Sequence, residues 1–262
     1  METSSILFDM QRWFSERGGR VVIACQQPLA RLFTTVPGVD QVVPENAVPE
    51  FQVHASLMSL PQILGTTLET IPNKVPYLYA STDHQLKLEP FPDTRFNVGL
   101  VWATGYKVWT DRKETRKLIK HHQTRSCPLS KLEPILSIPE ISFYSLQVGH
   151  NVTDLAEASG DYLIRDLSPC ISDFAGTAVL IDQMDLVISV DTAIIHLAGA
   201  LGKPVWMMLS RPHDWRWLLE REDTPWYPTM RLFRQPTSGD WDNVIRRVAV
   251  ALKDMVQGFN AK

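Results

Sequence analysis

The chain has 262 residues, of which 44% are hydrophobic and 21% charged, a composition typical of a globular protein large enough for two modest domains. Its 26 basic and 29 acidic residues give a formal charge of −3, which excludes the basic balance expected of a nucleic-acid-binding protein. The three cysteines have no CxxC spacing, so neither a disulfide framework nor a zinc site is expected and a reducing compartment fits best. No stretch predicts a membrane span or a secretory signal, and we therefore expect a cytoplasmic protein.

The first half of the chain predicts helices and strands in alternation. Apolar residues have helical spacing over residues 6–15, a short apolar strand follows at 20–25, a helix begins at 28–33, and a second apolar run lies within 36–43. This alternation is typical of a parallel sheet. Four prolines within residues 71–93 predict a linker. We therefore predict an N-terminal domain over residues 1–93 and a C-terminal domain over residues 94–262.

The second half predicts a doubly wound α/β domain, with a parallel sheet between helices. Strands are predicted at residues 97–103, 141–147, 185–190, 204–209 and 230–233, and helices at residues 128–136, 173–183, 192–201 and 240–256. The last helix has an apolar stripe that includes Val244, Val248 and Leu252. In a sheet of this kind, ligands bind outside the carboxyl ends of the strands, where loops lead into helix N-termini.

A candidate binding segment begins where the strand at residues 185–190 ends. Asp191 follows the strand, Thr192 can cap the next helix, and the free amides of that helix's first turn, from Ala193 onward, would favour a diphosphate. His196 lies one turn further along, where it either reaches the ligand or braces the loop. The alternative is an ordinary capped helix with a packed histidine, a pattern that occurs in many α/β proteins without a ligand there.

The segment SVDTAIIHLAGALGKPVW, residues 189–206, resembles the donor-site motif of family 9 glycosyltransferases, the heptosyltransferase-like group. Seven further stretches resemble the same group in the expected order, at residues 57–72, 98–103, 125–129, 143–147, 173–181, 212–221 and 225–235. The match extends to the C-terminal domain of bacterial glycosyltransferases in which this domain follows tetratricopeptide repeats. The resemblance implies a GT-B fold, with two Rossmann-like domains built on parallel sheets, and transfer of a sugar from a nucleotide-diphosphate donor.

The resemblance also implies a set of donor-site residues. The diphosphate would lie at Asp191, Thr192 and the amide of Ala193, and Arg125 would supply a counter-charge from the facing loop, since its planar guanidinium can hold two phosphate oxygens. Asp173 starts a helix at the rim, where it either meets the nucleotide or, in the interpretation that we favour, caps the helix. The implied donor-binding residues are Trp102, Arg125, Gln147, Asp173, Asp191, Thr192, Ala193 and His196.

The sequence departs from the family's pattern at its start. Members begin with a strand and a glycine-rich loop of the form GLGDT, and the acidic residue expected to act as general base lies in that region. This chain joins the pattern only inside the following helix, so we expect a truncated N-terminal domain that lacks the first strand and the loop, and we assign no catalytic residue. Asp9 is the nearest carboxylate, but it lies within the predicted helix.

A second departure is a longer stretch between Ala103 and Arg125, which is rich in lysine, arginine and histidine. One interpretation is a mobile lid that gathers phosphate or an anionic acceptor. The interpretation that we favour is a solvated loop or a short surface helix, in which the charges face water.

Two other motifs have an ordinary structural explanation. The tryptophan-rich segment at residues 214–226 has the chemistry of a sugar platform, but we favour packing for Trp215 and Trp217. Asp240 and Asp242 have the spacing of a metal-binding DxD pair. Because they lie where a helix begins, we expect an ordinary helix cap and no metal site.

Together these features predict a bacterial GT-B glycosyltransferase that is metal-independent and inverting. Its donor substrate would be a nucleotide-diphosphate sugar, without a separate cofactor. Its acceptor would be a glycan, a lipid-linked molecule or a protein, and the enzyme could lie peripherally at the inner membrane. One alternative is a catalytically impaired nucleotide-sugar-binding or interaction domain. Another is an isomerase of the nucleotide-sugar 2-epimerase type, which shares the fold but needs catalytic carboxylates and a histidine that the sequence does not place in the cleft.

Overall fold

A computed structural model describes residues 18–81, 87–89, 91–92, 94–105, 112–157 and 163–260, and among these the side chains of residues 112–115 and 260 are not described. The helix predicted over residues 6–15, together with Asp9, lies outside the described residues. None of the helices in the described part of the chain combines the length and the apolar character that crossing a membrane requires.

The strands of the described residues form two parallel sheets. In chain order they are β1 (Val22–Cys25), β2 (Gln41–Pro44), β3 (Phe96–Val101), β4 (Ile141–Ser145), β5 (Ile164–Asp166), β6 (Leu186–Val190), β7 (Val205–Leu209) and β8 (Met230–Arg234). The small sheet pairs β1 with β2. The large sheet has the order β5-β4-β3-β6-β7-β8, with every neighbouring pair parallel.

Helices connect these strands. In chain order they are α1 (Gln27–Phe33), α2 (Leu60–Ile63), α3 (Arg112–Arg125), α4 (Glu133–Leu136), α5 (Asp154–Glu157), α6 (Phe174–Asp182), α7 (Ala193–Ala200) and α8 (Trp241–Asn260). Short 3-10 helices lie at Leu57–Ser59, Leu129–Leu132, His150–Thr153, Ser168–Cys170 and Trp215–Trp217.

Most elements predicted from the sequence are confirmed. Each of the five strands predicted in the second half begins and ends within two residues of its predicted bounds, and the helices predicted at 173–183 and 192–201 are α6 and α7. The helix predicted at 128–136 is a 3-10 helix followed by α4. The sequence missed β5, because this edge strand has only three residues, none of which is buried, and a run that short shows no periodicity.

The strand order of the large sheet reverses between β3 and β6. From β3 the chain moves outward through β4 and β5, and it then returns to the other side of β3 through β6, β7 and β8. The register pairs Val101 with Ser189, so the residues that follow both strands emerge at the same level of the sheet edge. In open α/β sheets, a reversal of this kind opens a crevice outside the carboxyl ends of the strands, where ligands bind.

The large sheet is covered on both faces. On one face, α6 and α7 share a core with apolar residues of the N-terminal half, among them Leu32 and Phe33. On the other face, α4 and α8 cover the strands, and the predicted apolar stripe of Val244, Val248 and Leu252 is fully buried. Every residue of β4, β6 and β7 is therefore buried, as expected of inner strands in a parallel sheet.

The N-terminal half contacts the helices beside the large sheet through polar groups as well. The backbone amides of Tyr77 and Leu78 donate to the carbonyl of Ala200 at the end of α7, at 2.9 and 3.2 Å. The guanidinium of Arg31 in α1 donates twice to the carboxylate of Asp173, at 2.6 and 2.8 Å. The first contact joins the predicted linker to α7, the second joins α1 to the residue that precedes α6, and the division at residue 93 stays a prediction.

Candidate functional site

An ion pair lies at the carboxyl edge of the large sheet, where the strand order reverses. Asp191 follows β6 directly, and its side chain is 9% exposed. Arg125, the last residue of α3, places Nη2 3.0 Å from Oδ2 of Asp191 and donates from the same nitrogen to the backbone oxygen of Asp191 at 2.9 Å. Trp217 Nε1 donates to the same Oδ2 at 3.2 Å. The carboxylate is therefore held by two side chains that lie far from it in the sequence.

The end of α3 is fastened to the loop that follows β3. The backbone amide of Thr104 donates to Oγ of Ser126 at 3.0 Å, and the Ser126 hydroxyl donates to the carbonyl of His122 at 2.8 Å. Thr104 Oγ1 lies 2.8 Å from Nδ1 of His122. Arg125, whose guanidinium contacts Asp191, lies in the sequence between His122 and Ser126, the two residues that Thr104 holds.

Thr192 forms the N-cap of α7, as the sequence predicted. Its Oγ1 accepts from the amide of Ile194 at 3.3 Å and lies 3.1 Å from the hydroxyl oxygen of Ser189. The Ser189 hydroxyl donates to the carbonyl of Val190 at 2.7 Å, so the proton between the two hydroxyls comes from Thr192. Ala193, the first residue of the helix, is exposed. The positive end of the helix dipole thus faces solvent next to Arg125.

His196 lies inside the protein behind this helix end. The residue is 5% exposed, and its ring stacks on the indole of Trp217 with centroids 5.4 Å apart and places Nδ1 3.1 Å from the hydroxyl of Tyr227. Burial lowers the pKa of His196 to about 3, with the nearby Asp191 opposing the shift, so the imidazole is neutral at neutral pH. Of the two roles that the sequence allowed, its contacts correspond to bracing.

The buried imidazole has a consequence for stability. A histidine whose pKa falls from 6.5 in the unfolded chain to about 3 in the folded one takes up a proton on unfolding, so stability is complete above pH 6.5 and is lost as the pH falls towards 3. Between about pH 7.5 and about pH 5.5 we expect His196 to cost about 1 kcal/mol of unfolding free energy. The negative charges of Asp191 and Asp214 raise the pKa of His196, whereas the positive charge of Arg125 lowers it.

Urea unfolding at these two pH values checks this expectation. In His196→Gln the pH-dependent loss should be smaller than in the wild type by that amount. His150, which is exposed, offers the matched control, and His150→Gln should retain the full loss. Equal pH dependence in His196→Gln and the wild type would contradict a neutral, buried imidazole.

Trp102 and Gln147 lie at the same sheet edge, with their polar atoms already bonded. Trp102 is fully buried and donates from Nε1 to Oδ2 of Asp154 at 2.8 Å. The amide group of Gln147 accepts from the backbone nitrogen of Ala103 at 3.0 Å and donates to the carbonyls of Ala103 and Val148, each at 3.1 Å. These contacts hold the ends of β3 and β4 together at the crevice.

Asp173 caps α6, the interpretation that the sequence favoured. Its Oδ1 accepts from the amide of Gly176 at 2.7 Å, and both carboxylate oxygens accept from Arg31. The structure therefore brings together Arg125, Asp191, Thr192, Ala193 and His196, whereas Asp173 is bonded to the N-terminal half. A local sequence pattern could not have predicted the contact with Arg31, since 142 residues separate the two.

The remaining motifs have mixed outcomes. The stretch before Arg125 ends in the surface helix α3, as favoured. Asp240 accepts from the amide of Asn243 at 3.1 Å and so caps α8. Packing is confirmed for Trp217, which is 1% exposed, but it is wrong for Trp215, which is 71% exposed because its 3-10 turn directs only one of the two indoles inward.

Comparison with known proteins identifies the architecture. The structure of Escherichia coli ADP-heptose LPS heptosyltransferase II superimposes with a TM-score of 0.62 over 99% of this chain and 96% of that one, at 11% sequence identity. The fold is thus of the GT-B type, as predicted. Escherichia coli heptosyltransferase WaaC with ADP gives a TM-score of 0.38 at 18% identity, over 64% of this chain and 45% of that one, which is too distant to add an argument.

The sequence comparison adds a match to a family model. Residues 164–211 match the family model of glycosyltransferase family 9 (heptosyltransferase), a segment that includes Asp191, Thr192 and His196. The predicted resemblance to the heptosyltransferase-like group is therefore confirmed. FlbA of Caulobacter vibrioides is 33% identical over 172 residues, which are 64% of this chain and 26% of FlbA. The chain thus spans about a quarter of that relative's length, and a special closeness to tetratricopeptide-repeat members stays a prediction.

Proposed function

We propose that the chain binds a nucleoside diphosphate sugar at the N-terminus of α7 and transfers the sugar to an acceptor as a metal-independent, inverting glycosyltransferase. One observation carries the proposal, namely that the Arg125 guanidinium lies beside the open N-terminus of α7 at the reversal of strand order. A cation and free helix amides are the groups that bind a diphosphate. The proposal extends the family resemblance to a particular site and reaction.

The chemistry of the leaving group supports this assignment. When the bond between the sugar and the diphosphate breaks, negative charge grows on the diphosphate oxygens. Fixed donors directed at that position stabilise the charge without reorganising, and this is usually the largest contribution to catalysis. In the proposal, Arg125 and the amide of Ala193 at the positive end of the helix dipole stabilise this charge, so the leaving group has a counter-charge without a metal ion.

Asp191 has a different part in the proposed site from the one implied by the family resemblance. A carboxylate repels a diphosphate, and Oδ2 of Asp191 is already in contact with Arg125 and Trp217. We therefore assign Asp191 to holding the guanidinium in place, with the phosphate oxygens on Arg125 and on the end of α7. Thr192 fixes the first turn of the helix by accepting from the amide of Ile194, and in the proposal the amide of Ala193 serves the phosphate oxygens.

Isothermal titration of the whole chain with ADP, GDP and UDP tests donor binding. ADP is the first choice because the structural neighbour acts with ADP-heptose, as its name states. We expect one nucleotide to bind and Asp191→Ala to weaken it. Arg231→Ala is the matched surface control, because Arg231 lies on β8 at the far edge of the sheet and pairs with Glu222. A folded wild-type chain that binds none of the three nucleotides would refute the site.

Turnover separates transfer from the alternative of a domain that binds donor without reacting. The chain is incubated with the sugar conjugate of the nucleotide that it binds and with glycan, lipid-linked or protein acceptors. Release of the nucleoside diphosphate supports the transferase. Nucleotide binding without release under any of these conditions favours the binding domain. The acceptor class that accelerates release names the second substrate.

A further inference from the structure

Three buried side chains form a continuous polar and aromatic path behind the proposed donor site. We call Tyr227, His196 and Trp217 the aromatic relay. Tyr227 and Trp217 are each 1% exposed. Placing a hydroxyl, an imidazole and an indole N–H in a core costs free energy unless each polar atom finds a partner, whereas apolar residues of similar size would pack without that requirement.

Within the aromatic relay, Tyr227 contacts His196, and His196 contacts Trp217. The Tyr227 hydroxyl lies 3.1 Å from Nδ1 of His196, and the imidazole stacks on the indole of Trp217 with an angle of 20° between the planes. The indole then donates to Asp191, which holds Arg125. The path therefore runs from the interior to the one guanidinium that we assign to the diphosphate.

The ring of Tyr227 is tightly packed in this arrangement. It lies directly against Gly199 of α7, so closely that a Cβ at that position would come within 2.5 Å of the ring. Its hydroxyl also interacts with the hydroxyl of Tyr77, which belongs to the N-terminal half. Because a phenol has a single proton, it can donate to at most one of these two neighbours and accepts any other bond.

We infer that Tyr227 is a positioning residue for the donor site, whose hydroxyl fixes His196 and Trp217 and thereby the orientation of Asp191 and Arg125. The inference rests on the proposed function, because it assumes that Arg125 binds the diphosphate. Tyr227 touches no substrate in this scheme and acts only through the ion pair. Satisfied polar networks of this kind favour one arrangement of their members over others.

Removing only the hydroxyl tests the inference. Tyr227→Phe should raise the Kd for the bound nucleotide by about 3- to 10-fold, the range expected for one buried hydrogen bond. Tyr144→Phe is the matched control, because Tyr144 is fully buried in β4 and its hydroxyl bonds the carbonyl of Glu89 instead. A purely structural role would lower the unfolding midpoint in both variants without a specific effect on Kd.

A double substitution distinguishes an effect through Arg125 from a general effect on packing. If Tyr227 acts through the cation, Tyr227→Phe should have no further effect on Kd in the Arg125→Ala background. Trp217→Phe keeps a stacked ring but removes the donor to Asp191, so it should raise the Kd as Tyr227→Phe does. It replaces Tyr227→Phe in the test if that variant does not fold. No binding by the wild type refutes the proposed function and this inference with it. Normal binding by the wild type and by both variants overturns the inference alone.

Discussion

Replacement of Arg125 by alanine is expected to weaken binding of the donor nucleotide by about 10- to 100-fold, because hydrogen bonds to a charged group contribute about 1.5–3 kcal/mol each. The substitution removes the cation beside the end of α7 and leaves the helix amides in place. Titration of the variant with the nucleotide that the wild type binds measures the loss. Arg231→Ala, the same change at the far edge of the sheet, should bind as the wild type does.

The same substitution also affects folding. Among the described residues, it leaves the nearly buried carboxylate of Asp191 with Trp217 as its side-chain partner. We expect a loss of about 1–3 kcal/mol in unfolding free energy, less than for a fully buried pair because Arg125 is 27% exposed. Adding Asp191→Asn should restore part of that stability without restoring nucleotide binding. Full affinity in Arg125→Ala would contradict the assigned role, and unchanged stability would show that the ion pair contributes little.

Replacement of Gly199 by alanine is expected to destabilise the protein by about 1–3 kcal/mol, or more, through overpacking. The added methyl group would lie 2.5 Å from Cδ1 and 2.7 Å from Cγ of Tyr227, a ring that is itself fully enclosed. Either α7 or Tyr227 must shift, and each shift disturbs the hydrogen bond to His196. Urea unfolding measures the loss, and titration measures the accompanying decrease in nucleotide affinity.

Gly258 provides the matched control for this prediction. It also lies in a helix, α8, but a Cβ there would meet nothing within 4 Å. Gly258→Ala should therefore leave stability unchanged or raise it by up to about 1 kcal/mol, since alanine favours the helix over glycine. If Gly199→Ala were as stable as Gly258→Ala, the contact between α7 and Tyr227 would be looser than described.

The fold of the second half could be predicted from the sequence because inner strands of a parallel sheet are rich in apolar residues and are separated by helix caps and glycines. The runs at β6 and β7 show this clearly, as does the cap at Thr192. β5 could not be predicted, since an edge strand of three partly exposed residues has no apolar run. The order of the strands also has no local signal and became visible only in the structure.

The site was predictable in part for the same reason. Asp191 and Thr192 follow a strand and begin a helix, a pattern confined to neighbouring residues, whereas Arg125 entered through the family resemblance. The contacts of Trp217 with Asp191 and of Tyr227 with His196 span 26 and 31 residues. Interactions at that separation leave no periodicity in the sequence, and the only hint was the density of polar aromatic residues after β7.

The two ends of α7 contact different parts of the protein. Its first turn faces the crevice, while its last carbonyl accepts the backbone amides of Tyr77 and Leu78, and Pro76 lies against Gly202 just beyond. A helix of eight residues is a stiff rod about 12 Å long. A displacement of the chain at residues 76–78 would therefore be transmitted along this rod and would shift the amides at its opposite end, to which we assign the diphosphate.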